Sequence, residues 1–428
     1  MPFSSARSSA SLLALAVLAA YANAFGGSFQ FDDFNVIVRE GAVHSLGAWW
    51  ESMPGIRPLL KLSYALSWRF GGGSVAFHVL NVALHAANAW LVWAILRVLF
   101  GRMGVDADGV AAFGAALLFA LHPAHTEAVT YISGRSVSLM ALFYLGAVLA
   151  HLQARRSLSL VLFALALAVK EVAVTLPAAL VLCDALDQRR AFAWRETLRR
   201  TAPHWGLLLL ALALMAALPR YRELLQASLA LRTPGEQFAL QLGALARHVG
   251  VLILAVSPNI DPQVAVLPPV AGVAVLAALA VGVALLRAQP WHALALLWFL
   301  LHLAPTNSLL PRLDAANDRQ LYLASIGPLA LAGLALAWMP RGRVWAMAAL
   351  ALVLGAGTML RNQDYRTEVA LWSDTVRHSP GKARAWNNLG YALQLEGRPA
   401  EARRAYERAL ALDPEHLPAR INLMTQPR

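Results

Sequence analysis

Two adjacent carboxylates, Asp32 and Asp33, follow the first apolar segment of a chain whose composition is otherwise that of a membrane protein. Ionisable residues at a membrane are costly and usually functional, and a carboxylate can accept the proton of a reacting hydroxyl group. Two neighbouring acids cannot point at one spot. We therefore expect one to face a site while the other caps a helix or binds an arginine, and the sequence leaves open which does which.

Arginines recur where they could complement such a base. A transfer reaction that releases a phosphate needs cations opposite the carboxylate, and guanidinium binds phosphate through its fork of donors. The candidate phosphate ligands are Arg57, Arg135 and Arg319. Each of them could equally be a snorkelling or ion-paired residue at the membrane boundary.

Further polar residues lie in or beside apolar segments, where lipid should exclude them. Some could simply hydrogen-bond between helices, and the lysine–glutamate pair could be a neutralised structural pair. The histidine spacing matches no strong metal-ligand pattern, so no metal site is predicted, although a divalent metal is left open. The candidate supporting residues are His78, Asn81, His85, His122, His125, Glu127, Lys170, Glu171, Asp318 and Tyr322.

The composition indicates a polytopic membrane protein of the all-α class. Hydrophobic residues make up 58% of the 428 residues and charged residues 14%, against roughly 25% charged in a soluble domain. Apolar stretches of nearly membrane-spanning length predict a helical bundle. They lie at 8–25, 76–100, 110–123, 135–153, 157–170, 172–186, 203–219, 238–257, 266–286, 290–304, 320–338 and 343–360.

The net charge of +12 does not indicate nucleic-acid binding, because the arginines cluster between apolar segments. This is the positive-inside pattern, which predicts that the acidic pair and the loops 123–134 and 305–319 lie outside. Crossings by all of these stretches would return the C-terminus to the inside, whereas the basic loop 341–343 predicts that it lies outside. We therefore predict that 238–257, which carries Arg247 and His248, does not cross the membrane. About eleven crossings remain. The stretch 59–70 is predicted to lie in the membrane interface.

The C-terminal region is charged, rich in alanine, and carries the sharpest motif in the chain. Its residues recur at the spacing of a tetratricopeptide repeat, in which two antiparallel helices cross at small residues. The motif residues are Trp386, Leu389, Gly390, Ala402, Tyr406, Ala409 and Pro414. One repeat cannot bury its apolar face alone, so we expect 367–380 and 417–423 to be incomplete neighbours, and the array to dock on the membrane part or on a partner protein.

The predicted organisation has two domains. Residues 1–360 form a multi-spanning membrane domain whose outer loop, 26–75, carries the acidic pair. Residues 361–428 form an extracytoplasmic repeat region with one complete repeat at about 383–416. Lysine is scarce and arginine abundant, which suggests a GC-rich bacterial genome and therefore a multi-pass protein of a bacterial inner membrane.

Taken in order, these motifs resemble the transmembrane and tetratricopeptide repeat-containing (TMTC) family. These proteins are multi-spanning glycosyltransferases of the GT-C type, related to the protein O-mannosyltransferases. The resemblance covers essentially the whole chain, although this chain has barely one complete repeat. It is carried by Phe31-Asp32-Asp33, Arg57-Pro58-Leu59, Phe77 to Asn81 with His85, Leu121 to Val129, Ser133-Gly134-Arg135, Lys170-Glu171 and Asp318 to Leu323.

The resemblance implies transfer of a sugar, mannose in the animal relatives, from a polyprenyl-phosphate carrier to a protein hydroxyl on the extracytoplasmic, here periplasmic, face. It makes Asp32 or Asp33 the general base. It also favours a retained first helix over a signal peptide cleaved after Ala22-Asn23-Ala24. The expected partners are the lipid-linked donor, a protein or glycan acceptor, membrane lipid and a protein bound through the repeat, with no cofactor assigned.

Two other classes of protein remain open. A non-catalytic scaffold could use the repeat to recruit a partner, with the acidic pair merely solvating a loop. A transporter could use the buried histidine, lysine and glutamate residues as a relay, although the sequence lacks the repeated halves and broken helix pairs that are typical of transporters.

Overall fold

The computed structural model describes residues 6–53, 55–106, 108–189, 191–254 and 258–426. Across these residues the chain is helical and contains no β-strand, which confirms the all-α class. The first half comprises α1 (Ala6–Tyr21), α2 (Leu46–Glu51), α3 (Pro58–Arg69), α4 (Ser74–Met103), α5 (Val110–Leu121), α6 (Thr126–Val129), α7 (Arg135–Leu152), α8 (Arg156–Val169), α9 (Leu176–Ala185) and α10 (Trp194–Ala217). The second half comprises α11 (Pro219–Leu229), α12 (Pro234–Leu254), α13 (Gly272–Ala288), α14 (Pro290–Leu303), α15 (Leu321–Ala324), α16 (Ile326–Ala337), α17 (Arg343–Asp364), α18 (Glu368–His378), α19 (Ala383–Leu395), α20 (Pro399–Leu412) and α21 (Leu417–Thr425).

The core of the membrane part is formed by α4, α5, α7 and α16. Helix α5 packs against α4 and α16, and α7 packs against α4 and α8. The α5 sequence is apolar throughout and its residues are almost all buried, as expected of a helix surrounded by others. Small residues allow the close approach, since a Cβ at Gly333 of α16 would lie 2.5 Å from the carbonyl oxygen of Ala111.

The number of membrane crossings differs from the prediction. Within the described ranges, six helices are long and apolar enough to span a bilayer, or seven if the bent pair Asp318–Ala324 and Ile326–Ala337 is one span. The count of about eleven is therefore not confirmed. Helices such as α5 and α8, with 12 and 14 residues, rise only about 18–21 Å against a hydrocarbon core of about 30 Å. The prediction that 238–257 does not span is also unsupported, because residues 238–254 lie in α12, one of the six. Residues 255–257 lie outside the described residues.

The C-terminal helices α18 to α21 form a cap with a core of its own. Helices α19 and α20 pack together as an antiparallel pair, flanked by α18 and α21. A Cβ at Gly390 would lie 2.6 Å from the ring of Tyr406, which is why glycine is needed where these helices cross. The core includes Trp372, Leu389 and Ala402 together with Tyr131 and Ile260 from the membrane part. The cap is therefore docked on the loops of the membrane bundle.

Polar contacts hold the cap in place. Arg361 at the end of α17 forms an ion pair with Asp374 of α18 at 2.5 Å. Arg384 of α19 binds Asp261 and Asp314, which belong to two loops of the membrane part, at 2.7 and 2.6 Å. These side chains are partly or fully buried, so the pairs are screened less than surface pairs would be.

Candidate active site

The two neighbouring acids point in different directions. Asp33 is fully buried, and its two oxygens accept hydrogen bonds from the backbone N–H groups of Gln30 at 3.0 Å and Ser133 at 2.8 Å. Asp33 therefore joins the outer loop to the turn that precedes α7. Burial raises the pKa of its carboxyl to about 7, although the two hydrogen bonds favour the charged form.

Asp32 faces a cavity of about 260 Å³, which we call the Asp32 cavity. Its backbone N–H donates to the hydroxyl of Tyr131 at 3.1 Å, whereas no hydrogen bond joins its carboxylate to another residue in the described part of the chain. Burial raises the pKa of this carboxyl, and the positive charge of Arg319 partly offsets the effect. The arrangement leaves a carboxylate available to a substrate.

The residue before Asp32 is held in a strained conformation by the cap. Phe31 has a φ of 48°, a left-handed conformation that is costly for a residue other than glycine. Its backbone N–H donates to Glu368 Oε1 of α18 at 2.7 Å. Its ring lies edge-on to Trp372, with 5.0 Å between centroids. The cap therefore helps to fix the direction in which Asp32 points.

Cations surround the Asp32 cavity, and most of them have acidic partners. Arg57, which also has a positive φ of 53°, pairs with Glu171 at 2.8 Å. The guanidinium of Arg319 lies 3.3 Å from Glu127, and the Arg319 backbone N–H donates to the same carboxylate at 3.0 Å. Burial raises the pKa of Glu127 to about 7, against the lowering effect of Arg319. These pairs fix two of the predicted phosphate ligands at the cavity wall.

Lys170 and Arg312 are basic residues that have no carboxylate of the described residues at ion-pair distance. Both line the Asp32 cavity. The Lys170 ammonium donates to Ser136 Oγ at 3.1 Å. Burial, together with the nearby charges of Arg319 and Arg57, lowers the pKa of Lys170. An ammonium in this state is stabilised by any anion that enters, so the cavity is suited to a phosphate group.

Arg135 does not line the cavity. It is completely buried and donates to Asn81 Oδ1 at 2.7 Å, to the backbone of Ser63 and Phe77 at 2.9 Å each, and to Ser67 Oγ at 2.9 Å. These acceptors occupy Nε, Nη1 and Nη2. The position of Arg135 therefore favours a structural role that links α3, α4 and α7 over contact with a donor phosphate.

The remaining predicted residues do not line the Asp32 cavity and instead bond to other segments of the chain. His78 bonds to the carbonyl of Gly27, Asn81 to those of Val129 and Ile132, and His122 to that of Leu252. His85 bonds to the Tyr322 hydroxyl at 2.8 Å and His125 to Ser325 Oγ at 3.0 Å. Asp318 pairs with Arg247 at 2.5 Å. The described residues include no group of three or more His, Cys, Asp or Glu side chains that could hold a metal ion.

Two further cavities lie in the bundle. Lys170, Arg312 and Arg319 also line a small cavity of about 30 Å³, lined mostly by polar residues, whose other walls include Met140, Leu323 and Thr306. A separate apolar cavity of about 530 Å³ lies between α9, α13 and α14. It shares no lining residue with the two charged cavities.

Sequence reasoning missed Arg312. The available signal was its position in the loop 305–319, which is predicted to lie outside, where the positive-inside pattern disfavours arginine. Ser136, which lines the same cavity and accepts a hydrogen bond from Lys170, had no signal in the sequence.

Comparisons with known proteins bear on the predicted family. The family model for the tetratricopeptide repeat matches residues 383–416. The chain is 34% identical over 161 residues to Protein O-mannosyl-transferase TMTC4 of Mus musculus, a match covering 32% of this chain and 22% of that protein. It is 34% identical over 201 residues to Protein O-mannosyl-transferase Tmtc1 of Drosophila melanogaster, covering 39% and 21%. Protein O-mannosyl-transferase F38B6.6 of Caenorhabditis elegans is 23% identical over 448 residues, covering 95% of this chain and 62% of that protein.

The predicted resemblance to the TMTC family is confirmed. Each of these matches spans less than two thirds of the relative, and about a fifth of TMTC4 and Tmtc1. No solved structure matches the chain. Several of the motifs that predicted a TMTC-like protein line the Asp32 cavity, and they come from the outer loop, the turn before α7, the turn after α8 and the loop before α15. The motifs of α4 and of residues 121–129 do not line it.

Proposed function

We propose that this TMTC-like protein is a membrane glycosyltransferase that moves a sugar from a polyprenyl-phosphate donor to a protein hydroxyl group. The observation that carries the proposal is the carboxylate of Asp32, free of hydrogen bonds to other described residues, in a cavity with Lys170 and Arg312. A base and surplus cations in one cavity are what a transfer with a phosphate leaving group requires. The names of the relatives, protein O-mannosyl-transferases, agree with this class.

The proposed step is a single displacement with inversion at the anomeric carbon. Asp32 accepts the proton of the acceptor hydroxyl as that oxygen attacks the anomeric carbon of the sugar. The bond between this carbon and the phosphate oxygen breaks, and the phosphate leaves with the electron pair. An inverting transfer needs a base on one face of the sugar and a stabilised leaving group on the other.

The leaving phosphate would bind to Lys170, Arg312 and Arg319. Of these, Arg319 is held by Glu127, which fixes its orientation. Arg312 contributes positive charge, and the entering phosphate favours the protonated, charged form of Lys170. Charge that develops on the phosphate in a water-poor cavity is stabilised strongly by cations already in position. Arg57, already bound to Glu171, would shape the entrance.

The donor tail would lie against the apolar flank of the bundle. The phosphate-binding residues are shared between the Asp32 cavity and the smaller one beside it. A separate cavity of about 530 Å³ between α9, α13 and α14 is lined mainly by leucine, valine and alanine. An isoprenoid chain gains free energy by covering such apolar surface, so a polyprenyl donor suits this bundle better than a water-soluble nucleotide sugar.

The cap would contribute to binding of the acceptor protein. The repeat packs against the loop that carries Asp32 and leaves the side chains of Tyr391 and Leu395 exposed beside Phe34. A protein acceptor could therefore contact the cap while its hydroxyl reaches the carboxylate. The positive-inside pattern supports an extracytoplasmic position for this face, which is the periplasmic side in the proposed bacterial inner membrane.

The decisive experiment measures sugar release from radiolabelled polyprenyl-phosphate mannose in proteoliposomes that contain the full chain and a lysate of acceptor proteins. Asp32→Asn keeps the size of the side chain but removes the base, and loss of a general base typically costs about 10²–10⁴-fold in rate. Glu51→Gln, an exposed acid in the same outer loop, is the matched control and should leave turnover unchanged.

Turnover by Asp32→Asn equal to that of the wild type would refute the role of the base. A wild type without turnover, with several donors supplied, would refute transfer. Loss of a bound partner on deleting 361–428 would then favour the scaffold alternative.

A further inference from the structure

A second charged cavity, of about 560 Å³, lies at the opposite end of the bundle from Asp32. Helix α7 begins with Arg135, near the Asp32 cavity, and ends at Leu152, which lines the second cavity. At a rise of 1.5 Å per residue these ends are about 25 Å apart. We call this second space the basic cavity, and the mechanism proposed above makes no use of it.

Four arginines converge on the basic cavity, with two aspartates and one histidine. The charged lining is Arg102, His151, Arg156, Asp184, Asp187, Arg189 and Arg200. Four positive and two negative charges, with histidine neutral, leave an excess of two positive charges. The two aspartates are already engaged, because Asp187 pairs with Arg102 at 3.6 Å and with Arg189 at 3.0 Å, while His151 bonds to Asp184 at 3.1 Å.

Two of the arginines are better placed to meet a ligand. Arg156 is exposed, and no carboxylate of the described residues lies at ion-pair distance from it. Arg200 is held by Glu196 at 2.8 Å, and the same glutamate holds Arg199 at 3.0 Å. Only Arg200 of these two neighbours is among the residues lining the cavity.

Asp184 adds a different requirement. Asp184 is 6% exposed. Its Oδ2 is buried without a hydrogen-bond partner in the part of the chain that the structure describes. A buried acceptor left unpaired keeps the cost of its lost hydration. A ligand that carries a hydrogen-bond donor as well as a negative charge would satisfy both this oxygen and the arginines.

We propose that the basic cavity binds a phosphate ester that carries a hydroxyl group, with the phosphate on Arg156 and Arg200 and the hydroxyl donating to Asp184. Guanidinium groups bind phosphate through charge-assisted, often bidentate hydrogen bonds. The volume lies within the roughly 300–1,000 Å³ range of small-molecule sites. The same chemistry is present in the headgroup of phosphatidylglycerol and in soluble glycerol phosphate. The arginine-rich end, predicted to be cytoplasmic, is a surface where anionic headgroups attract arginine.

The test measures affinity with purified full-length protein. Thermal protection is followed during titration with glycerol 3-phosphate, and separately in nanodiscs that contain phosphatidylglycerol or only phosphatidylcholine. Loss of one charge-assisted contact should weaken binding about tenfold or more in Arg156→Gln and in Arg200→Gln. Arg199→Gln, which breaks an ion pair with the same Glu196 but lies outside the cavity, should bind like the wild type.

The outcomes separate the sources of the ligand. Protection by phosphatidylglycerol alone, lost in Arg200→Gln, supports a lipid headgroup site, and protection by glycerol 3-phosphate as well supports a site for soluble phosphate esters. The proposal is overturned if neither ligand protects the wild type, or if Arg199→Gln and Arg200→Gln lose protection equally. Asp184→Asn should weaken binding of glycerol 3-phosphate more than binding of inorganic phosphate titrated in parallel, because inorganic phosphate lacks the alcohol hydroxyl that would donate to Asp184.

Discussion

Replacing Asp33 by asparagine should remove a defined part of the pH dependence of stability. Burial raises the pKa of the Asp33 carboxyl from its ordinary value of 3.8 to about 7. Because the pKa is raised in the folded state, protonation favours folding. The contribution of Asp33 to the free energy of unfolding is therefore full below about pH 4 and is lost as the pH rises through about 7.

The size of the effect follows from this change in pKa. A rise from 3.8 to about 7 corresponds to about 4 kcal/mol, at 1.36 kcal/mol per pH unit. The entropy of unfolding is about 2.1 cal/mol/K per residue, which gives about 0.9 kcal/mol/K for 428 residues. The wild-type midpoint should therefore fall by about 4–5 °C between pH 4 and pH 8 because of this one group.

Asparagine resembles the protonated acid, since it keeps one accepting oxygen for Gln30 or Ser133 and cannot ionise. The assay compares the thermal midpoints of the wild type, Asp33→Asn and the control Glu51→Gln in detergent across this pH range. The stability of Asp33→Asn relative to the wild type should rise with pH, while Glu51→Gln should follow the wild type. A constant difference between wild type and Asp33→Asn from pH 4 to pH 8 would refute the reasoning.

Three other predictions concern the cavity and the cap. Lys170→Met should raise the KM for the lipid-linked donor about tenfold or more through loss of a charge-assisted contact, and Lys170→Arg should restore part of the affinity in the same assay. Glu368→Ala should lower kcat without changing donor KM, because it releases the Phe31 backbone N–H; Glu368→Gln, which keeps an accepting oxygen, should recover activity. Gly390→Ala should lower the thermal midpoint by overpacking against Tyr406, at a cost of about 1–3 kcal/mol, and an unchanged midpoint would contradict the close crossing of α19 and α20.

The sequence was most informative where a pattern repeats along the chain. Hydropathy predicted the helical class, and the spacing from Trp386 to Pro414 predicted the antiparallel pair that the family model also matches. The predicted number of spans was not confirmed, because hydropathy does not say where a helix stops. The turn Pro123–His125 ends the apolar stretch around α5 as a helix of 12 residues.

The site was harder to predict because residue type does not fix contacts. Arg135 and Arg312 are the same residue, but four protein acceptors surround the first, while the second lines the cavity. Asp32 and Asp33 likewise differ through the backbone N–H groups that happen to meet Asp33, one of them at Ser133, 100 residues away. Such long-range partners become visible only when the chain is folded.

The docking of the cap explains how a single complete repeat can be stable. A repeat needs neighbours to bury its apolar face, and here Tyr131, Ile260 and Phe31 of the membrane part supply part of that surface. The same contacts hold the Phe31 backbone in the left-handed conformation that precedes Asp32. Burial of the repeat thus offsets the strain at the site. It follows that a cap detached from the bundle should lose stability, and the bundle without its cap should lose the fixed direction of Asp32.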